Sequence, residues 1–234
     1  MPIWLRGDED FPPLDRALRR PNGLLAVGGD LSPQRLLSAY RRGIFPWYSP
    51  GEPILWWSPD PRTVLFPPEF HIGRTLRKTV RRGLFEVTAD TAFSTVIERC
   101  SEPRAEQHGT WITDEMKQAY AGLHAMGLAH SVESWQDGEL VGGLYGVALG
   151  RMFYGESMFS RASDASKVAF VHLVRQLVEW EFELIDCQMR TDLLASFGAR
   201  DIPRSEFTRR VAELVNYPDM CGPWSLAPAA SPEE

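Results

Sequence analysis

The stretch 128–160, LAHSVESWQDGELVGGLYGVALGRMFYGESMFS, carries the clearest fold signal in the chain. Apolar and polar residues alternate over residues 130–136, and the dipeptide Asp137-Gly138 that follows is typical of a tight hairpin turn. Two further extended segments follow at residues 139–148 and 151–159. The stretch therefore predicts three successive β-strands.

Helices and strands alternate on both sides of this stretch. After it, the pattern predicts a helix over 164–180, a strand over 183–189 and helices over 192–197 and 205–215. Before it, the pattern predicts helices over 32–42, 72–82, 94–99 and 113–126, and extended segments over 54–57, 62–66 and 84–88. This order indicates an α+β fold with a small N-terminal α/β domain over residues 1–62 and a second domain over 63–234. The boundary can also lie as late as residue 110.

Composition places the chain among folded proteins without a membrane segment. Of its 234 residues, 44% are apolar and 24% are charged, and the longest apolar run, Val168–Val174, is too short to cross a bilayer. The N-terminus has acids and prolines where a secretory signal would be apolar, so we expect a cytoplasmic protein. Cys100, Cys187 and Cys221 match no zinc or disulfide spacing. The net charge of −6 argues against a uniformly cationic surface but allows a local basic patch.

One predicted strand carries two polar side chains among apolar ones. In LIDCQM, residues 184–189, Asp186 and Gln188 fall on one face of an ideal strand, and Ile185 and Cys187 fall on the other. Burying such a pair costs free energy unless it is hydrogen-bonded. The pair is therefore either a reacting site or a satisfied structural pair, and the spacing alone favours neither.

A second polar signal lies where a predicted strand leads into the long helix. Glu156 stands in YGESMF, residues 154–159, close to the start of that helix. Helix N-termini favour nearby negative charge, so this corner is a natural place for a site. From its position alone, a capping or surface role for Glu156 is the more common outcome.

Five cations share one face of the helix predicted over 72–82. Their spacing is i, i+3, i+4, i+7 and i+8, and no acid lies among them. They are Arg74, Arg77, Lys78, Arg81 and Arg82. Like charges on one face repel unless a polyanion neutralises them, so this basic stripe predicts a phosphate-binding surface; a solvated face is the alternative.

The first half of the chain is rich in aromatic residues near proline turns. They are Trp47, Tyr48, Trp56, Trp57 and Trp111. Such residues most often fill a core, but beside a basic stripe they are also the side chains that stack on an unpaired base.

The motifs of the common transferase cofactors are absent. An acyl-CoA N-acyltransferase with this order of elements holds the pyrophosphate on a glycine-rich turn between a strand and a helix. The corresponding turn here, SRASD at residues 160–164, has no glycine and contains an acid. The sequence also has no Walker loop, dinucleotide fingerprint or HExxH motif, so we expect no coenzyme A, ATP, NAD or metal.

Together, six motifs resemble the leucyl/phenylalanyl-tRNA-protein transferase family. They are PNGLLAVGGDLSP (21–33), YRRGIFPW (40–47), ILWWSPDPR (54–62), GTWIT (109–113), GESMFS (155–160) and LIDCQ (184–188). Several blocks in the family's order are far more specific than any single motif, and the resemblance extends over about residues 11–215.

The resemblance implies an aminoacyltransferase whose C-terminal domain has the GNAT acyltransferase fold. Such an enzyme moves Leu or Phe, and also Met, from aminoacyl-tRNA to the N-terminal α-amine of proteins that begin with Arg or Lys. The product enters the bacterial N-end rule degradation pathway, and no cofactor takes part. We expect a monomer, because nothing in the sequence indicates self-association.

The resemblance also implies roles for individual residues. Asp186 and Gln188 match the catalytic pair, in which the carboxylate orients the carboxamide and the carboxamide oxygen accepts a hydrogen bond from the attacking amine. Glu156 matches a position that binds the cationic side chain of the acceptor. The basic stripe would hold phosphates of the tRNA acceptor stem.

Two further sets of residues follow from the resemblance. Trp47 and Trp111 would stack on the 3′-terminal adenosine, with Tyr40 close by. The pocket for the aminoacyl side chain would draw on Leu144, Phe153, Met158 and Ile185. Ile185 is the least secure member, because it faces away from Asp186 on an ideal strand.

Two positions depart from the family, and two other functions stay open. Thr191 and Leu193 stand where the family has Asn and His. The alternatives are an acyl-CoA N-acyltransferase, against which the glycine-free turn argues, and a noncatalytic RNA-binding module, against which the Asp186 and Gln188 pair argues.

Overall fold

The dipeptide Asp137-Gly138 forms the predicted hairpin turn. Both residues have positive φ, +52° and +79°, as a two-residue turn of this kind requires. The flanking strands pair antiparallel from Gln136↔Glu139 onward, and the second of them pairs antiparallel with Met152–Ser160. A three-stranded antiparallel unit therefore lies at the centre of the fold, as the sequence predicts.

The computed structural model describes residues 1–7, 9–103 and 110–226. The strands are β1 Ile3–Leu5, β2 Leu24–Gly28, β3 Phe45–Pro46, β4 Leu55–Trp57, β5 Arg62–Leu65, β6 Glu86–Ala89, β7 Ala129–Gln136, β8 Glu139–Leu149, β9 Met152–Ser160, β10 Leu184–Gln188 and β11 Arg200–Ile202. The helices are α1 Pro33–Tyr40, α2 Arg74–Arg81, α3 Phe93–Ser101, α4 Asp114–Ala125, α5 Ala165–Glu179, α6 Asp192–Ser196 and α7 Arg204–Leu214. Gly109 of the GTWIT motif and residues 227–234 lie outside the described residues.

The strands form two sheets. The small sheet has the order β1-β2-β4-β3, and the large sheet has the order β11-β5-β10-β9-β8-β7-β6. In the large sheet β9 and β10 are parallel and joined by α5, whereas the neighbouring pairs are antiparallel. The α+β class is confirmed. The chain passes from the small sheet to the large one between Trp57 and Arg62; the domain boundary at residue 62 stays a prediction.

Local signals explain the helix starts. The Ser32 hydroxyl accepts a hydrogen bond from the Arg35 N–H at the start of α1, with Pro33 as the first helical residue. The Thr113 hydroxyl accepts from the Met116 N–H at the start of α4. Both caps lie at the first residue of a predicted helix, 32–42 and 113–126.

The two faces of the large sheet are covered by different elements. One face, including Leu144, Phe153 and Ile185, shares a buried cluster with residues of α5. Its other face shares a cluster with α3, α4 and the small sheet, so that Tyr154 and Trp56 belong to the same core. Asp186, which pairs with Tyr154, lies on this second face.

No helix among residues 1–7, 9–103 and 110–226 combines the length and the apolar character needed to cross a membrane.

Candidate active site

The paired part of the parallel strands β9 and β10 ends close to three of the residues predicted for the site. Pairing between them runs from Leu184↔Met152 to Asp186↔Tyr154; β9 then continues to Ser160, whereas β10 ends at Gln188. The carboxyl ends of neighbouring parallel strands are a usual place for a ligand. Asp186 and Gln188 lie at this end of β10, and Glu156 lies two residues beyond the last pair on β9.

Asp186 is fully buried and paired with a cation. Its two carboxylate oxygens accept hydrogen bonds from Arg62, Nε to Oδ1 at 2.8 Å and Nη2 to Oδ2 at 2.6 Å. The Arg62 guanidinium lies over two aromatic rings, 4.7 Å from the centroid of Phe45 and 4.5 Å from that of Phe207. Asp186 is therefore a satisfied member of a buried ion pair. Arg62 is not among the residues predicted for the site, although its charge at the start of a buried strand, RTVL, is a visible signal.

Gln188 stands in a tight turn at the end of β10. Its φ is +60°, and the Met189 N–H donates to the Cys187 carbonyl at 2.7 Å, which closes a three-residue γ-turn around it. The Gln188 N–H donates to Asp186 Oδ1 at 2.9 Å. The Asp186 carboxylate thus holds the backbone of Gln188.

The geometry corrects the ideal-strand argument used for this pair. The register of β10 against β5 shifts between Asp186 and Gln188, and a positive φ interrupts the extended backbone at Gln188. The alternation of faces therefore does not extend as far as Gln188. The catalytic role assigned to the two residues stays a prediction.

Glu156 sits in a bulge of β9. Tyr145 pairs with Ser157 and Gly146 pairs with Gly155, so that Glu156 has no partner residue on β8. Its side chain is buried, and its two oxygens accept hydrogen bonds from the hydroxyls of Tyr40 at 2.7 Å and Tyr120 at 2.8 Å. Burial raises the pKa of Glu156 to about 7, although the two tyrosine hydrogen bonds act in the opposite direction.

The three side chains form a closed ring of short oxygen–oxygen contacts. The hydroxyl oxygens of Tyr40 and Tyr120 are 2.6 Å apart, in addition to their contacts with Glu156. Two hydroxyl hydrogens supply only two of these three contacts. Both hydroxyls donate to Glu156 here, and these two hydrogen bonds favour the ionised carboxylate.

Tyr40, predicted to lie close to the 3′-terminal adenosine, is buried beside Glu156. Tyr40 ends α1 and is fully buried, with its ring 4.9 Å from the Tyr154 ring and its hydroxyl on Glu156. Its place near the adenosine stays a prediction. Tyr120, on α4, is a further residue of the site that the sequence argument does not single out.

The two tryptophans predicted to stack on the adenosine lie in neighbouring loops. Trp47 is 40% exposed, and its carbonyl accepts a hydrogen bond from the Trp57 indole N–H at 2.7 Å. Trp111 is half-buried against the core cluster that contains Tyr48. The Tyr48 hydroxyl and Thr113 Oγ1 are 3.2 Å apart, which ties the two loops together. The stacking role stays a prediction.

The four residues predicted for the aminoacyl pocket share one side of the large sheet. Leu144, Phe153 and Ile185 are buried in the cluster that α5 covers, and the half-buried Met158 packs against it. Ile185 lies with the others on this face, whereas Asp186 faces the other side of the sheet, as the alternation along an ideal strand predicts. That these residues form a pocket stays a prediction.

The basic stripe lies on the exposed face of α2. All five of its cations are exposed, whereas Leu76 is buried and Ile72 and Val80 pack against the core. Within the part of the chain that the structure describes, none of the five forms an ion pair with an acidic side chain. The stripe is therefore open to a polyanion, and its role in tRNA binding stays a prediction.

The turn before α5 does not fit a coenzyme A pyrophosphate. Asp164 occupies a left-handed position there, with φ +65°, and its carboxylate pairs with Lys167 at 2.7 Å. The Ser160 hydroxyl accepts a hydrogen bond from the Ser166 N–H, a donor that a phosphate would need. Across residues 1–7, 9–103 and 110–226, no three His, Cys, Asp or Glu side chains come together as metal ligands would.

Two neighbours of Gln188 have structural explanations. Burial raises the pKa of the Cys187 thiol, which disfavours a nucleophilic thiolate there. The Thr191 hydroxyl caps α6 by accepting from the Leu194 N–H at 3.2 Å. Thr191 therefore has a structural role at this position, which Asn could also fill.

Comparisons with known proteins identify the family. The family model described as "Leucyl/phenylalanyl-tRNA protein transferase" matches residues 64–212, and the one described as its N-terminal domain matches residues 29–60. Proteins named leucyl/phenylalanyl-tRNA--protein transferase from Nitrosospira multiformis and Stutzerimonas stutzeri are 63% and 62% identical to this chain. The alignments cover 94% of this chain and 95% of the first relative, and 93% of this chain and 97% of the second.

Solved structures give more distant matches. A GCN5-related N-acetyltransferase from Kribbella flavida has 11% sequence identity and a TM-score of 0.38, with 74% of this chain and 61% of that chain covered. L-PGS from Bacillus licheniformis has 12% identity and a TM-score of 0.39, with 74% and 57% covered. The first family model covers more than half of the chain, and the relatives match over nearly their whole length. The chain therefore belongs to the leucyl/phenylalanyl-tRNA protein transferase family and is an aminoacyltransferase.

Proposed function

We propose that the protein transfers Leu or Phe, and also Met, from aminoacyl-tRNA to the N-terminal α-amine of proteins that begin with Arg or Lys. The product is a protein marked for N-end rule degradation. The observation that carries the proposal is that the pairing of β9 and β10 ends at Asp186↔Tyr154, next to both the Gln188 turn of β10 and the buried Glu156 of β9. We place the reaction in the cytoplasm and expect the enzyme to act as a monomer.

The reaction needs little activation of either substrate. The amine nitrogen attacks the carbonyl carbon of the aminoacyl ester, the N–C bond forms, and the bond from that carbon to the terminal ribose oxygen breaks. The ribose oxygen leaves with a proton from the amine. The ester supplies the driving force, and a terminal α-amine has an ordinary pKa of about 8, so roughly a tenth of it is neutral at pH 7. Positioning is therefore the main task of the protein.

Gln188 is well placed for this task. Its carboxamide oxygen is a feeble base but a good hydrogen-bond acceptor for the attacking amine. The positive φ and the γ-turn fix the backbone that carries this side chain. In our proposal Gln188 aligns the amine, and a hydroxyl of the terminal ribose carries the proton to the leaving oxygen.

Glu156 supplies selectivity for a cationic acceptor. An ionised carboxylate in a buried site forms a strong, charge-assisted hydrogen bond with an Arg or Lys side chain. The hydroxyls of Tyr40 and Tyr120 hold the two carboxylate oxygens in place. An uncharged N-terminal residue would leave this carboxylate without a cationic partner.

The aromatic, cationic and apolar residues of the proposed site fit different parts of the tRNA donor. Trp47 and Trp111 offer aromatic surface for the 3′-terminal adenosine, and the basic stripe offers five exposed cations for acceptor-stem phosphates. Leu144, Phe153, Met158 and Ile185 supply apolar surface for the donor side chain. Such a pocket separates similar apolar side chains by only about 1–3 kcal/mol, which accounts for several accepted donors.

Transfer of labelled leucine tests the proposal. Leu-tRNA is incubated with a peptide that begins with Arg and with the same peptide acetylated at its N-terminus. We expect transfer to the free amine alone, and a loss of about 100-fold in kcat for Gln188→Ala with unchanged tRNA binding. Gln188→Asn retains the carboxamide on a shorter side chain. It tests whether the position of the carboxamide matters in addition to its presence.

Two results would contradict the proposal. Wild-type kcat in Gln188→Ala would remove the role of Gln188. The absence of transfer from Leu-, Phe- and Met-tRNA, together with intact tRNA binding, would favour the noncatalytic RNA-binding alternative.

A further inference from the structure

The strained turn at Gln188 depends on a residue far away in the sequence. The Gln188 N–H donates to Asp186 Oδ1, and the same oxygen accepts from Arg62 Nε. Positive φ is unfavourable for a residue with a side chain and persists only where the surroundings enforce it. The hydrogen bond from Gln188 to Asp186 is one such restraint, and its strength depends on the position of the carboxylate.

Arg62 sets the position of this carboxylate. Two parallel hydrogen bonds from one guanidinium fix both the location and the plane of the Asp186 carboxylate, since Arg matches carboxylate geometry with two donors. Both side chains are 1% exposed, so water does not replace either contact.

The guanidinium is itself held from two directions. Phe45 belongs to β3 of the small sheet, and Phe207 belongs to α7 after the large sheet. Arg62 lies over both rings, so its place is defined by the packing of the small sheet and α7 around β5. The position of the Gln188 turn therefore depends on the packing between the two sheets.

From this geometry we infer that Arg62 is a positioning residue for the transfer reaction: through the Asp186 carboxylate it locks the turn that presents Gln188. The inference rests on the proposed function of Gln188. Asp186 then acts through the backbone N–H of Gln188 and not through the substrate.

Arg62→Lys provides the main test, because it retains the charge but cannot form two parallel hydrogen bonds. We expect kcat to fall about 10- to 100-fold while the KM values for the acceptor peptide and Leu-tRNA change less than about twofold. Hydrogen exchange of the Gln188 amide should accelerate about tenfold or more. The exchange measurement uses the enzyme alone, so it tests the restraint whether or not transfer is observed.

Arg35→Lys is the matched control. Arg35 is also a buried arginine, and its guanidinium contacts Asp30 and the carbonyls of Gly7 and Glu9, all within the first 35 residues. We expect Arg35→Lys to lower stability without a change in Gln188 exchange or in kcat per folded molecule.

A double variant separates loss of the restraint on Gln188 from unfolding of the protein. Removing Arg62 alone leaves a buried unpaired carboxylate, whereas replacing both members of a buried pair by apolar residues is often tolerated. Arg62→Met combined with Asp186→Leu should therefore fold, lose protection at the Gln188 amide and lose kcat. Unchanged Gln188 exchange in Arg62→Lys, or wild-type kcat in the folded double variant, would overturn the inference.

Discussion

At Glu156 the surrounding protein favours a neutral carboxyl group at the expense of a charged one. Burial removes water from the carboxylate and raises its pKa to about 7, and this effect exceeds the opposite effect of the hydrogen bonds from Tyr40 and Tyr120. A cationic acceptor side chain would reverse this balance by favouring the ionised form. The charge of Glu156 should therefore respond both to pH and to the acceptor.

The free energy of unfolding should fall as pH rises from 4.5 to about 7. In this range Glu156 ionises in the unfolded chain but stays neutral in the folded protein. The pKa of Glu156 is raised from 4.5 to about 7, so stability is greatest below pH 4.5 and declines up to about pH 7. Over this pH range we expect the free energy of unfolding of the wild type to fall by up to about 3 kcal/mol relative to that of Glu156→Gln. Urea unfolding of both proteins between about pH 5 and pH 8 measures the difference; parallel curves would contradict it.

The same substitution should affect the acceptor more than the donor. Glu156→Gln removes a charge-assisted hydrogen bond worth about 1.5–3 kcal/mol, so KM for a peptide that begins with Arg should rise by roughly tenfold or more. KM for Leu-tRNA should be unchanged. Steady-state kinetics with each substrate varied in turn decides this, and an equal rise in both KM values would argue against acceptor recognition.

Tyr120→Phe and Tyr145→Phe form a matched pair for this prediction. The Tyr120 hydroxyl lowers the pKa of Glu156. Tyr120→Phe should therefore move the pH dependence of the KM for the acceptor to higher pH. The buried Tyr145 hydroxyl has no hydrogen-bond partner among the described residues, so its removal should leave that dependence in place.

The sequence could indicate these polar residues but not their partners. Asp186 is visible as an acid in an apolar strand, and the resemblance adds Glu156. The partner of Asp186 lies 124 residues earlier, and only the insertion of β5 beside β10 brings Arg62 to it. Likewise, the position of Tyr40 depends on how α1 packs against α4, which no local pattern encodes.

At the scale of elements, helix α2 is the best candidate for tRNA contact. Helix α2 has its apolar residues inside and its five cations outside, as the spacing over 72–82 predicts. A helix with this distribution gains little stability from its charged face. That face is therefore free to serve binding, and changes to it should be separable from folding.

Salt dependence provides the test for α2. Arg77→Ala combined with Arg81→Ala should weaken tRNA binding and reduce the slope of log K against log salt by about 1–2, because each lost phosphate contact releases fewer counterions. The melting temperature should hardly change, because both side chains are exposed. Filter binding over a salt series gives the slope. Arg209→Ala, an exposed cation on α7, is the control, and an equal effect there would contradict a specific surface.

Elements with strong local signals were predictable, and those defined by pairing were not. The hairpin turn, the caps of α1 and α4 and the long helix α5 each have residues that favour them locally. Strand β2, LLAVG, is buried on both sides and lacks alternation, and β11 has only three residues. Both owe their extended form to their neighbours in the sheets.

At the scale of the whole molecule, the two sheets share one core. Trp56 of the small sheet and Tyr154 of the large sheet belong to the same buried cluster, and Phe207 of α7 contacts Arg62 between them. Contacts of this extent normally couple the folding of the parts that they join. The division at residue 62 would then separate sheets but not independently stable units.

Unfolding should therefore be a single transition. With 5-fluorotryptophan in the chain, the ¹⁹F signals of Trp56 and of Trp224, which is buried and stacks on His130 of β7, should disappear at the same urea concentration. Phe207→Ala should lower the free energy of unfolding by about 3–5 kcal/mol. Both urea midpoints should fall together. The exposed Val178→Ala serves as control. Separate midpoints for the two signals would contradict a shared core.

The place of β5 in the large sheet also constrains how the protein can be made. This strand leaves the ribosome early, but its neighbours β10 and β11 are synthesised more than a hundred residues later. Until then β5 has no strand to pair with on either side, and long-range pairings of this kind form slowly. The Gln188 turn, whose support comes from β5, is therefore among the last parts of the enzyme to become ordered during translation, so an incomplete chain would lack the site proposed for transfer.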